Sequence, residues 1–132
     1  MFTHVNPIYL DVIWPKVEAL LASAIEKGYG EASLDQLKLL VRRGESHLAI
    51  WHENDEIISA GVIDFINYPN YRVAHAGYLS GRHTEESFTA LKAWCCDVMG
   101  AKKLQCLGSD AITRLYARYG MEKKYNLLRI DL

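Results

Sequence analysis

The sequence predicts an α/β chain of the α+β kind, with one mixed, mainly antiparallel sheet flanked by helices on both faces. Three observations carry this. Apolar residues recur at helical spacing twice before residue 42, three strand-like runs then follow one another through short turns, and after residue 84 helical and strand-like runs alternate. Strands joined both by hairpins and by helical crossovers belong in a mixed sheet. The expected order is (β)ααβββαβαβ, in a single domain over 1–132.

Residues 3–6 form a short candidate strand. From Asp11 to about Lys27, Val12, Ile13, Val17, Leu20, Leu21, Ala24 and Ile25 share helical spacing, and Pro15 is expected in the first turn, where its missing N–H costs little. The glycines of "KGYGEAS" break the run. Ser33 followed by Gln36 is a capping box for a second helix, with Leu34, Leu37, Leu40 and Val41 on one face and Gly44 as its stop. Leu48–Trp51 reads as a strand, Asn54-Asp55 as a turn, and "IISAGVIDFI" as a longer strand rich in β-branched residues. Pro69 and Asn70 turn the chain back through "RVAHAGYL". Thr84 caps the next helix, whose Phe88, Leu91, Cys95 and Val98 form an apolar face before Gly100. "KLQCLG" is a short strand, Asp110 the expected cap of the helix "AITRLYARY", and "YNLLRIDL" the expected last strand.

With 132 residues, half of them hydrophobic and 23% charged, the chain can bury one core. A formal net charge of -1 supplies none of the basic surface that binding to nucleic acid requires. The pairs Arg42-Arg43, Lys102-Lys103 and Lys123-Lys124 each close an apolar run, as solvated element ends do; a helix-turn-helix reading of "SLDQLKLLVRRGESH" lacks its second helix. No run of about 18 apolar residues spans a membrane, and "MFTHVNPIYL" lacks a secretory leader's basic start and apolar middle, so a cytoplasmic location is expected. Three cysteines, two of them adjacent, make no disulfide framework, and neither they nor the five histidines show metal-ligand spacing. No metal is expected.

The element order, taken with "RLYARYGM", resembles the GNAT acyltransferase superfamily, particularly its short members from bacteriophage genomes. Leu115, Tyr116 and Gly120 match a motif of Leu-Tyr, three residues, then Gly and an aromatic residue; Met121 stands in the aromatic place, and Ser109 and Ile112 depart from the family's Asn and Ala. By this resemblance Tyr116 would protonate the departing CoA thiolate, which a phenol of pKa about 10 can do. A core tyrosine with its hydroxyl at the surface is the other reading. The family's strand-to-helix turn, Gln or Arg, two residues, Gly, one residue, Gly or Ala, binds the pyrophosphate of acyl-CoA. Aligned on Gly81, the turn here runs Tyr78, Leu79, Ser80, Gly81, Arg82, His83 and Thr84, with only the glycine in agreement. Ser80 and Thr84 add hydroxyls and Arg82 a cation, whereas Glu85 and Glu86 oppose an anion and His83 crowds the loop. A turn glycine before a well-capped helix is the plainer alternative.

The resemblance further implies acetyl-CoA as co-substrate, an amine acceptor, and a middle strand pair parting near Tyr78 and Leu79. A glutamate that members often keep on the strand before the turn is absent; His75 is the imidazole there suited to base work, with Asp64 as second choice. The departures from the motif open a different class, a GNAT-like scaffold without catalysis that binds another protein, such as a host protein of a phage. Tyr68, Tyr71 and Tyr125 are candidate anchors for it, or else ordinary turn residues. Monomer and homodimer are both compatible with the sequence.

Overall fold

Five strands form one sheet in the order β1-β2-β3-β4-β5, in a computed structural model that describes residues 1–132. β1 (Phe2–His4), β2 (His47–Glu53), β3 (Glu56–Asn67) and β4 (Arg72–Gly81) are antiparallel neighbours, and β5 (Lys103–Cys106) joins β4 in parallel. The hairpin between β2 and β3 turns at Asn54 and Asp55, both at positive φ, which these two residue types tolerate better than most.

Each face of the sheet carries its own core. On one, α1 (Leu10–Glu26) and α2 (Leu34–Arg42) bring Leu10, Trp14, Val17, Leu21, Leu37 and Val41 onto Leu48, Ile50, Ala60 and Val62. On the other, α3 (Glu85–Ala93) and the π-turn Trp94–Val98 set Trp94 and Cys95 against Ala49, Ile63, Ala74 and Ala76, and α4 (Asp110–Ala117) stacks Tyr116 on Phe88. Burying one such Leu, Val or Ile side chain contributes about 1.5–3 kcal/mol. The capping box at Ser33 and Gln36 forms as the sequence predicts, and Gly44 ends α2 at φ +76°.

Four local expectations are corrected. α1 runs on from the 3-10 turn Pro7–Tyr9, so Pro15 lies inside the helix, and the residue whose carbonyl loses its partner is the exposed Asp11. Ser109 rather than Asp110 caps α4, its hydroxyl accepting from the Ile112 N–H at 3.4 Å. Past α3 the π-turn changes the helical phase: Trp94 is 7% exposed and Val98 70%, so the expected face ends at Cys95. The last strand does not form. Residues 122–132 make no backbone hydrogen bond to any other main-chain group, and Leu127, Leu128, Ile130 and Leu132 stand exposed. Their alternation is strand-like, but a strand needs an edge, and Arg129 instead approaches Glu31 at 3.8 Å and the Tyr29 ring at 5.6 Å, in the connection between α1 and α2.

Candidate functional site

The sheet opens at one place. β4 and β5 are paired only from Val73 opposite Lys103 to Ala76 opposite Cys106, whereas β4 continues to Gly81 against β3 alone. Beyond Ala76 the outer edge of β4 therefore faces no strand. The same point carries a bulge: Val62 pairs with Tyr78 and Ile63 with Ala76, leaving Gly77 as the extra residue. A bulge bends its strand and frees main-chain groups from the ladder.

Two groups of side chains flank this opening from opposite faces of the sheet. Facing α3, Tyr116 lies stacked on Phe88 with ring centres 5.3 Å apart and the His83 ring set nearly perpendicular, its centre 6.2 Å away, and Leu79, Leu104, Cys106 and Met121 complete an apolar hollow. Tyr116 is only 3% exposed, and burial, with smaller effects from Cys106 and Tyr119, pushes its phenol well above the usual range. It is held protonated. The Cys106 thiol is likewise pushed up by burial.

Facing α1, His75 pairs in register with Asp64, and its Nε2 lies 3.6 Å from where a Cβ on Gly77 would stand. Gln105 on β5 brings its side-chain amide nitrogen to 3.2 Å from His75 Nδ1. Asp64 Oδ1 is buried without a hydrogen-bond partner, and Tyr78 packs against the α1 core, its phenol pushed up by burial and then by the carboxylates of Glu31 and Asp64. Of the two catalytic candidates, Tyr116 and His75, one thus lies on each side of the opening.

The turn from Tyr78 to Thr84 is built chiefly by the fold. Gly81 sits at φ +90°, and a Cβ there would overlap the Ile58 carbonyl oxygen and stand 2.7 Å from Ser59 Cα; close strand packing alone demands glycine. The Arg82 N–H donates to the Ile58 carbonyl at 2.8 Å, and its guanidinium to Glu53 at 2.9 Å. A capping box consumes two more amides, since the Thr84 N–H donates to Ser87 Oγ at 2.9 Å and the Ser87 N–H to Thr84 Oγ1 at 3.1 Å. The N–H groups of His83, Glu85 and Glu86 keep no backbone acceptor. Burial lowers the His83 pKa against an opposing hydrogen bond to the Ser80 backbone, and His83 Nε2 is buried without a partner. The turn can therefore offer an anion three amides, two of them at the N-terminus of α3, with its one arginine already paired.

Gly77, Gln105, Glu31 and Cys106 escaped the sequence reading as site residues. Gly77 had a signal, because a glycine inside a strand pattern marks a bulge. The others meet only through tertiary packing.

Comparison with solved structures assigns the architecture. An aminoglycoside acetyltransferase from an uncultured soil metagenomic sample, crystallised with trehalose, superposes with a TM-score of 0.74 at 10% identity, over 100% of this chain and 95% of that one. A ribosomal-protein-alanine N-acetyltransferase from Brucella melitensis biovar Abortus 2308 gives 0.72 at 10% identity, over 100% and 99%. A predicted acetyltransferase from Clostridium acetobutylicum, crystallised with acetyl-CoA, gives 0.66 at 13%, over 99% and 95%. The fold is GNAT-like. No protein-family profile and no curated sequence matches the chain.

Proposed function

We propose that the chain is an acyl-CoA-dependent N-acyltransferase that moves an acyl group, acetyl in the simplest case, from the CoA thioester directly to an amine. The parting of β4 from β5 at Ala76 and Cys106, with Tyr116 beside it, carries this reading. A pantetheine arm laid in the opening would meet the unpaired edge of β4, and its diphosphate the amides of His83, Glu85 and Glu86.

The amine loses a proton to His75 and attacks the thioester carbonyl carbon. Charge develops on the carbonyl oxygen, where main-chain N–H groups around the Gly77 bulge can hold it. The C–S bond then breaks, Tyr116 gives its proton to the departing sulfur, and the second proton released by the acylated nitrogen restores the phenol through water. Burial that raises the phenol also disfavours a thiolate expelled beside it, so donor and acceptor move together. Asp64 and Glu31, the carboxylates felt by Tyr78, favour a cationic acceptor.

A second reading keeps the fold and drops catalysis, leaving a scaffold that binds a protein, such as a host protein in a phage setting. It is favoured by the Arg82 to Glu53 pair and by the exposure of Tyr68, Tyr71 and Tyr125. Titrating acetyl-CoA by calorimetry separates the two. Micromolar affinity is expected, together with a Tyr116→Phe variant that binds equally well and turns over at least ~10-fold more slowly. Absence of heat and of thermal stabilisation at millimolar acetyl-CoA would leave the scaffold reading.

A further inference from the structure

Behind the opening, the face of the sheet toward α3 holds two hollows divided by one side chain. The outer hollow, about 10 Å³, lies between Ala76, Cys106 and Tyr116, and every residue of its wall is hydrophobic. The inner one, about 30 Å³, reaches under α3 to Phe2, Ala49 and Ile63 and is also largely apolar. Leu79, Phe88, Leu91 and Tyr116 are walls of both. Of these four, Leu79 alone stands on the sheet, packed against the α3 core and directly opposite Gly61 on β3. It owes its position to that glycine, because a Cβ on Gly61 would come within 2.8 Å of Leu79 Cδ2.

We infer, on the reading of the chain as an acyltransferase, that the hollows take the tail of an acyl group longer than acetyl, of three or four carbons, and that Leu79 and Gly61 together set its length. A thioester whose sulfur stands beside Tyr116 has its acyl carbon at the mouth of the outer hollow. The pantetheine arm carries amides that need hydrogen-bond partners, which a hydrophobic wall does not give, so an alkyl tail is the occupant that fits. Space then sets the length. About 10 Å³ is roughly one water-sized sphere, enough for the single methyl of an acetyl group. The 30 Å³ behind it admits one or two further carbons, provided the Leu79 side chain lies back against β3. Glycine at position 61 lets it do so; a methyl group there would push the end of Leu79 into the passage. The amine comes from the face of His75, so a tail beneath α3 stays out of its path.

Calorimetry with CoA and with its acetyl, butyryl and hexanoyl thioesters tests this whatever the acceptor. Butyryl-CoA should bind at least about 10-fold more tightly than acetyl-CoA, the scale of a methylene gained in an apolar pocket, and hexanoyl-CoA no more tightly than acetyl-CoA. Gly61→Ala, which takes nothing from the core, should abolish the butyryl preference while affinity for CoA itself is retained. Leu79→Ala joins the two hollows and should make hexanoyl-CoA the tightest of the series. Equal affinity for the three thioesters, or a butyryl preference indifferent to Gly61→Ala, would overturn the place given to the tail and leave the acyltransferase reading standing. Failure of all four compounds to bind, CoA included, would remove both.

Discussion

At the scale of single residues, two glycines on β4 do opposite work. Gly81 is held against the Ile58 carbonyl at a positive φ, so Gly81→Ala should cost about 2–4 kcal/mol in urea denaturation, from strain and overlap together. Gly77 has only the His75 ring near it, at ordinary contact distance. Gly77→Ala should therefore leave stability within about 1 kcal/mol and still depress the proposed acyl transfer, because a methyl group would occupy the bulge between His75 and the opening. Equal activity of this variant and the wild type would move the acceptor elsewhere. The opposite outcomes expected of two glycines four residues apart could not be read from the sequence, where both look like punctuation. Only the partner strand distinguishes them.

At the scale of elements, the end of α3 is the instructive case. A regular helix would have carried Val98 inward; the π-turn carries Trp94 inward instead, against Phe2, His4, His47 and Phe65. Trp94→Ala should cost about 3–5 kcal/mol, whereas Val98→Ser should fall within about 0.5 kcal/mol, both by chemical denaturation. Ser109→Ala should cost about 1 kcal/mol by loss of the α4 cap. Most elements were legible because local signals agreed with the fold: the capping box at Ser33, the turn at Asn54-Asp55, the β-branched run of β3 and the turn at Pro69 and Asn70 that leads into β4. What was not legible depends on more than local pattern. The segment 125–132 carries the alternation of a strand and pairs with no strand of its own chain, and the side chains around the opening converge from β4, β5 and α4.

At the scale of the whole molecule, three imidazoles tie stability to pH. Burial lowers the pKa of His4, with His47 adding to the effect; burial also lowers that of His47, where Asp64 opposes and Arg72 assists, and that of His83. In the unfolded chain each takes up its proton near pH 6.5, before the folded chain does. The unfolded state then binds more protons, so stability is full above that pH and falls as pH drops below it. The thermal midpoint should decline from pH 7.5 to 5.5, and less steeply in a His47→Gln variant; a flat profile would contradict the burial of these rings. The strand contact at Gly81 and the reciprocal cap at Thr84 have a last consequence, for the timing of recognition. The bend before α3 is locked into place when the protein folds, so a visiting diphosphate would find its berth already rigid, and the host would surrender little further freedom in receiving it.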